Sequence, residues 1–384
     1  MKRILIVGAG LYGAVCAREL SDLGHAVRVI EQREHIAGNC HTRFDEASGS
    51  HEHVHGAHIF HTESERIWAY VQRFAAFHPY VHRVRARHGE ASYSLPINLQ
   101  TLREVFGVDS SEAAREALEH DRLKVVETAA GGVPRNMESH CLATIGPTLY
   151  RLLIEGYSQK QWNRHPRDLP ASIVQRLPVR FTDDDRYFSD RFQGVPVGGY
   201  TAMFERMLAG IPVDLGVDFL ADRAHWMARY DQVIYTGALD AFFDHCHGAL
   251  EYRSLRFERE HLGVDDFQGR AVVNYTDAAV PFTRIIEHRH FEPPLRATGR
   301  TLITREYPLD WQPGRAPYYP VNTPANQARF ERYQELAASR DVAGQVHFGG
   351  RLAEYRYYDM HQVIAAALSH VRRVTELPRH ALAA

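Results

Sequence analysis

The sequence predicts an α/β protein whose parallel sheet is assembled from separated stretches of chain, interrupted by a helical bundle and an antiparallel sheet. Three observations predict it. The apolar run Arg3-Ile4-Leu5-Ile6-Val7 leads into a glycine turn, a helical pattern and a second apolar run, Ala26 to Ile30. Far downstream come a third such run, Val233-Ile234-Tyr235-Thr236-Gly237, and a Gly349-Gly350 turn before a last helix. Between these ends the periodicity turns helical from Leu99 to about Gly156 and strand-like over Leu250 to Glu306.

The amino-terminal element is the most specific. Gly8-Ala9-Gly10-Leu11-Tyr12-Gly13 fits G-x-G-x-x-G directly after a buried-strand pattern, and Ala14, Ala17, Leu20 and Leu23 line one face of the helix that follows. Gly8 permits the tight turn, Gly10 lets the backbone approach a pyrophosphate, and Gly13 lets helix and strand pack closely. The helix N-terminus offers free N–H groups and positive dipole to phosphates. Glu31 lies 18 residues past Gly13, where a carboxylate takes a ribose hydroxyl pair. The pattern predicts a Rossmann-type dinucleotide site.

A second glycine turn, Ile36-Ala37-Gly38-Asn39, follows soon after Glu31 and Gln32. Near the carboxyl end, Phe348-Gly349-Gly350-Arg351-Leu352 precedes a helix from Met360 that Asp359 caps and Gln362 completes as a capping box. One ligand reached from both ends of the chain argues for FAD over NAD, and no second G-x-G-x-x-G marks an NAD(P)H domain.

Between the ends, Thr62-Glu63-Ser64-Glu65 reads as a capping box opening a helix with Ile67, Val71 and Phe74 inward. His82 to Tyr93 reads as strand, Leu99 to Phe106 as a helix stopped by Gly107, and Asp109 as the start of the next. Pro147 suits the first turn of a helix ending at Gly156. Ile173 to Phe192 suggests strands, Gly194 to Thr201 a loop, and Thr323-Pro324 the start of a surface helix. The expected division is residues 1–76, 194–244 and 343–384 for the FAD-binding domain, 97–163 for a helical substrate-loop domain, and 77–96, 164–193 and 245–342 for an antiparallel sheet domain.

Composition excludes several classes. With 384 residues, of which 45% are apolar, the chain can bury a core spanning two or three domains at about 100–200 residues each. Lys+Arg 45 against Asp+Glu 47 leaves a net charge of −2, so there is no broad basic surface for nucleic acid or an anionic membrane. No apolar run approaches the roughly 20 residues of a spanning helix, and the amino-terminal run is too short for a signal peptide. Cys16, Cys40, Cys141 and Cys246 lie far apart and read as reduced thiols in a cytoplasmic protein.

Several unusual strings then converge: Gly56-Ala57-His58-Ile59-Phe60-His61-Thr62, Leu95-Pro96-Ile97-Asn98, Gly156-Tyr157-Ser158-Gln159-Lys160-Gln161-Trp162, Arg176-Leu177-Pro178-Val179-Arg180-Phe181 and Pro281-Phe282-Thr283-Arg284. With Gly350-Arg351-Leu352 and Tyr357-Tyr358-Asp359-Met360 they resemble the bacterial UDP-galactopyranose mutases, in the family's order from Ile4 to about Ala367. The resemblance implies an isomerase that interconverts UDP-galactopyranose and UDP-galactofuranose with reduced FAD and no net redox. It implies flavin N5 as nucleophile, a flavin–galactose iminium intermediate, an external reductant of the flavin, and a homodimer or higher homo-oligomer.

Carried over residue by residue, the resemblance assigns Arg176 and Arg284 to a clamp on the substrate pyrophosphate, a task that suits two guanidinium forks. Arg180 is the lesser choice in its string. Tyr157 and Trp162 correspond to mobile-loop residues that hold uridine, and a tryptophan beside Lys160 and Asn163 reads as exposed for a ligand. Tyr187, Phe188 and Asn274 fall near the substrate, and either Tyr318 or Tyr319, with Tyr357, reaches the phosphates. Asp359 falls near flavin and sugar. Cofactor contacts are Gly8, Gly10, Tyr12, Gly13, Glu31, Gln32, Gly38, Asn39, His58, Ile59, Gly350, Arg351, Tyr357, Asp359 and Met360. Two departures stand out. Ala37 replaces a usual glycine, predicting a looser backbone approach, and Asn163 replaces another, predicting a stiffer loop. The cofactor fingerprint alone also fits a flavin amine- or alkene-oxidising enzyme, or a flavoprotein that binds nucleotide without catalysis.

The 24 histidines suggest metal, because His51, His53, His55, His58 and His61 crowd together. No second ligand set of zinc spacing accompanies them, so no metal is expected. His51 and His53 read as solvated edge residues, and His58 as the imidazole beside the flavin.

Overall fold

A computed structural model describes residues 1–126, 136–174, 178–293 and 296–376. The apolar run Arg3–Val7 is the centre of a five-stranded parallel sheet, flanked by Ala26–Ile30 and Gln232–Tyr235, with Val213–Asp214 and Val346–Phe348 at the edges. Alternation sends Ile4 and Ile6 to one face, under the helices Leu11–Asp22 and Met360–Glu376, while Leu5 packs on the other with Val233 and Phe242. Both ends of the chain therefore share this sheet.

The second sheet has seven strands in the order Tyr319–Pro320, Tyr252–Leu262, Thr301–Asp310, Arg284–Glu287, Val272–Tyr275, Val84–His88, Ala91–Leu95. Its neighbours are antiparallel except Val272–Tyr275 with Val84–His88. The expected strand from His82 is thus a hairpin that turns at Gly89.

The helical insert packs Leu99–Phe106, Ser111–Val126 and Met137–Leu149 around Leu102, Leu118, Ile145 and Leu149. Asn98 caps the first helix in a box with Thr101, and Gly107 ends it at φ 68°. At Gly146 (φ 74°) the chain kinks, and Pro147 opens a new helical segment whose Thr148 N–H bonds the buried Asp121 carboxylate at 2.9 Å. This segment does not stop at Gly156. It continues through a π-turn, Tyr150–Glu155, into the helix Gly156–Trp162. A Cβ at Gly156 would fall 2.5 Å from the Thr276 carbonyl oxygen, so that glycine serves a close approach, not a stop.

Three further expectations are corrected. The helix cap after Phe60–Thr62 is Ser64, which accepts the Ile67 N–H, because Thr62 is still strand. Within 173–192 only Phe192 is strand among the described residues; local pairs such as Arg186–Asp184 hold the segment before it in irregular form. Gly194 to Thr201 is not a loop. Gly194 lies in the strand Phe192–Pro196, and Gly199 begins a helix whose Tyr200, Met203, Phe204 and Met207 are all buried.

Candidate functional site

The glycine turn has the dimensions of a phosphate cradle. Gly8 sits at φ 105°, and a Cβ on Gly13 would fall 2.0 Å from the Gly8 carbonyl oxygen. The second glycine turn closes on the first: Ala37 N–H bonds the Ala9 carbonyl at 3.0 Å, and a Cβ on Gly38 would lie 3.0 Å from Gly10 Cα. The approach is therefore tight, correcting the looser one expected from Ala37, which adopts a left-handed φ of 72° to achieve it. Glu31 accepts Ala9 N–H at 2.8 Å and Arg33 N–H at 3.0 Å. A carboxylate has about four acceptor positions, so two amides leave room for ribose hydroxyls. These backbone approaches fit a dinucleotide.

Around this cradle, Asn39 accepts from Arg33, Ile59 is buried and Gln32 is exposed. Tyr12 turns inward, its hydroxyl 2.5 Å from His370 Nδ1, so it has only backbone to offer a ligand. Gly350 donates to Glu354, and Arg351 donates to the Tyr318 carbonyl. Met360 lies 3.7 Å from Cys40 sulfur at the start of the last helix, where the Gln362 side chain accepts the Asp359 N–H at 3.0 Å.

The second sheet supplies a polar row. Asn274 pairs directly with Arg284, and Arg284 with Glu306, so the three side chains line one face across adjacent strands. Glu306 is 2% exposed and its Oε1 lies 3.2 Å from Arg284 Nε, a charge pair without hydrogen-bond alignment. Arg284 also donates to the Tyr157 hydroxyl at 3.0 Å. Burial raises the Glu306 pKa against the pull of Arg284, while burial opposes and Glu306 supports the strongly held charge on Arg284. Asn274 Oδ1 and Arg284 Nε are buried without a hydrogen-bond partner among the described residues, as expected of groups awaiting a ligand.

The loop bearing His58 lies over this row: a Cβ on Gly56 would meet Glu306 Oε2 at 3.3 Å and the Phe257 ring. His58 Nδ1 donates to the Gly56 carbonyl at 2.8 Å, which leaves Nε2 an acceptor. Burial, aided by Arg351 and Arg284, pushes its pKa down to about 4. Its N–H bonds His53 Nδ1 at 3.1 Å.

The histidine cluster disperses. His53 is not solvated: it is 2% exposed and stacked on Phe291 at 4.2 Å, because residues 288–292 cover the strand Ser50–His53. His51 is no free edge group either, being paired with Glu292 at 2.7 Å. His55 bonds the Tyr318 hydroxyl at 3.0 Å and His35. That contact distinguishes the two tyrosines: Tyr319 is buried near enough to Glu306 and Arg284 to feel both charges, and its ring stands 6.0 Å from that of Tyr357. His61 stacks on Phe188 at 3.7 Å and bonds Asp190 at 2.7 Å; its ligand atoms lie within 4.8 Å of Asp359 and His361. Tyr187 meets Phe188 edge-on at 5.2 Å.

Trp162 is half-buried against the helical core, not exposed as expected, and it ends the same helix that bears Tyr157. Asn163 follows at φ 51°, the conformation that glycine favours, with its amide on Asp310 at 2.9 Å. Arg180 is spent on the carbonyls of Asp184 and Arg186. Arg176 lies outside the described residues. Sequence reasoning missed Glu306, Lys160 and Asp190. Only the adjacency of Lys160 to Tyr157 and Trp162 in one string gave a signal.

The chain matches the family model described as UDP-galactopyranose mutase over residues 152–357 and an NAD(P)-binding Rossmann-like domain over 6–74. It is 41% identical to a probable UDP-galactopyranose mutase of Klebsiella pneumoniae, covering 96% of this chain and 93% of that one. It is 36% identical to the dTDP-fucopyranose mutase of Escherichia coli, covering 96% and 97%. A solved structure of reduced UDP-galactopyranose mutase superposes with a TM-score of 0.75 at 14% identity, covering 99% of this chain and 97% of that chain, a likeness of fold. Among the described residues no helix is long and apolar enough to cross a membrane. With a dinucleotide cradle, a family match over more than half its length and a relative of 41% identity, the chain belongs to the UDP-galactopyranose mutase family of isomerases.

Proposed function

We propose that the protein interconverts UDP-galactopyranose and UDP-galactofuranose, with the Asn274–Arg284–Glu306 row holding the nucleotide diphosphate. The observation that carries this reading is the buried row itself, with polar atoms left unpartnered beside Tyr157 and beneath the His58 loop. FAD held by Gly8, Gly10, Gly13, Glu31, Gly38 and the Gly350–Met360 segment would, when reduced, supply N5 as a nucleophile for the anomeric carbon, changing ring size without net redox.

The protein's own groups have separable tasks. Arg284 neutralises diphosphate charge and never loses its proton near neutrality. Glu306 fixes the guanidinium by charge, and Asn274 offers an amide beside it. Arg176 belongs to the same clamp by its motif, as the second guanidinium. Tyr157 and Tyr319 bring hydroxyls to Arg284's side, Tyr319 and not Tyr318 because the latter is held by His55. His58, with a pKa of about 4, stays neutral at working pH and presents an acceptor nitrogen. Tyr187, Phe188 and His61 wall the sugar space.

The test is anaerobic conversion of UDP-galactofuranose by dithionite-reduced protein. Turnover is expected only after reduction, and equal turnover by the oxidised form refutes the nucleophile assignment. A second reading, the same isomerisation on dTDP-fucopyranose, is favoured by the E. coli relative's 97% coverage. Parallel assays with both nucleotide sugars separate the two.

A further inference from the structure

Lys160 lies in the helix Gly156–Trp162, and among the described residues its ammonium has no carboxylate partner within ion-pair distance. Its Nζ instead donates to three backbone carbonyls: Tyr275 at 2.8 Å, Asp277 at 2.8 Å and Phe282 at 3.0 Å. Tyr275 ends the strand Val272–Tyr275, and Asp277 and Phe282 lie in the connection from it to Arg284–Glu287; the two strands bear Asn274 and Arg284. Three carbonyls arranged around one ammonium satisfy all of its donors. Burial costs the charged form, and the pKa falls to about 8.

The same contact is marked from the helix backbone. A Cβ on Gly156 would meet the Thr276 carbonyl at 2.5 Å and Ala278 N at 3.0 Å, so helix and turn meet there without a side chain. At the helix's far end, the buried Arg253 donates to the Gln161 carbonyl at 2.8 Å and pairs with Asp310, which also holds Asn163. One turn of helix from Lys160, the Tyr157 hydroxyl takes its hydrogen bond from Arg284.

We infer that Lys160 is a positioning residue for substrate binding: it pins the helix bearing Tyr157 and Trp162 to the turn that joins Asn274 to Arg284, so both walls of the diphosphate site keep one geometry. The inference rests on the reading of Arg284 and Tyr157 as substrate groups. Lys160 itself touches neither substrate nor cofactor. Loss of the pin lets the helix shift along the sheet, which weakens capture of the nucleotide more than the chemistry that follows.

The experiment uses the FAD-loaded protein. UDP affinity of the oxidised form is read by tryptophan quenching, and KM and kcat for UDP-galactofuranose are read after reduction. Lys160→Met is expected to raise Kd and KM by about tenfold or more, with kcat falling much less and flavin content unchanged. Lys160→Arg, which keeps charge and donors, is expected to recover most of the affinity. If Lys160→Met does not fold, Gly156→Ala decides, since it wedges the same contact with Lys160 intact and is expected to raise KM in the same way. UDP affinity within twofold of wild type in whichever variant decides, or an equal fall in kcat and flavin content, overturns the inference. Arg284→Ala serves as the control: unchanged UDP binding there would overturn the underlying clamp reading, whereas a silent Lys160→Met alone would overturn only the pin.

Discussion

Lowering the pH from 7 to 5 is expected to destabilise this protein steeply, because four histidines are buried neutral. His53, His82, His288 and His370 are 2%, 5%, 0% and 4% exposed. Burial pushes His82 and His288 to about 3, His370 to about 4, and His53 well below the ordinary value. Their folded pKa values lie below the unfolded value of about 6.5, so the unfolded chain takes up protons first. The stability each group lends is present above pH 6.5 and is lost as the pH falls toward 4.

Between pH 7 and 5 an unfolded histidine gains about three quarters of a proton while these four gain almost none, which costs about 2 kcal/mol each and about 8 kcal/mol together. That equals a large part of the roughly 5–15 kcal/mol by which domains are stable. His290, whose pKa is raised by Glu287 and Asp266, works in the opposite direction but is one group against these four and against His41, His55 and His58, which burial also lowers, to about 4, 3 and 4. The buried carboxylates with lowered pKa, such as Asp121 and Glu292, begin to count only below this window. The assay is urea unfolding of the FAD-loaded protein followed by tryptophan fluorescence at pH 7, 6 and 5. The midpoint should fall by roughly 2 M across the range. His370→Asn, which keeps an acceptor near Tyr12, should remove about 2 kcal/mol of the loss between pH 7 and 5. Equal midpoints at pH 7 and 5 would refute the neutral-burial argument.

Arg284→Ala should lower kcat/KM by about a thousandfold while the flavin absorbance stays normal, and Arg284→Lys should restore little, since one ammonium cannot reproduce the fork; steady-state assays of the reduced enzyme check both, and activity within a few-fold of wild type removes Arg284 from the clamp. Glu306→Gln should lower kcat/KM by about 30-fold, the equivalent of about 2 kcal/mol for one half of a buried pair, with a smaller loss if orientation does not depend on charge. Gly13→Ala should give colourless protein, because the added carbon would sit 2.0 Å from the Gly8 carbonyl, and bound flavin is read directly by its absorbance. Ala37→Gly should stabilise the fold by about 1 kcal/mol by relieving its left-handed φ, measured by urea unfolding.

The cofactor cradle was legible because its signal is local: strand, glycine spacing, helix and acid occupy the first 31 positions. The Asn274–Arg284–Glu306 row was not, apart from what resemblance supplied for Arg284 and Asn274. Its geometry arises from register between strands joined by long connections, and nothing around Glu306 distinguishes it from the alternating charges Arg305 and Glu306 display in sequence. Glycines misled in two places. Gly156 looked like a helix stop and is a contact, and Gly199 looked like loop and begins a buried helix. His53 misled because a strand of alternating histidines looks solvated until residues from 288 onward cover it.

The two relatives named for different nucleotide sugars share a nucleoside diphosphate and differ in base and sugar. A row built of a guanidinium, its buried counter-charge and one amide responds to phosphate charge and geometry, which both substrates present alike. If the row holds the diphosphate as proposed, discrimination comes from groups off the row. The helix Gly156–Trp162 belongs to the insert, and the rings of Tyr187, Phe188 and His61 come from two other segments of the chain. The helix meets the turn after Val272–Tyr275 through the Lys160 ammonium, while backbone bonds anchor the rings, Tyr187 N–H to the His82 carbonyl at 2.7 Å and His61 within the strand Phe60–Thr62. The side chains these elements present can change by single substitutions while the row and the cradle stay fixed. On the proposed reading, the fold separates what the chemistry requires, held by strands and glycine turns, from what selects the substrate, carried by the helix Gly156–Trp162 and the ring stack.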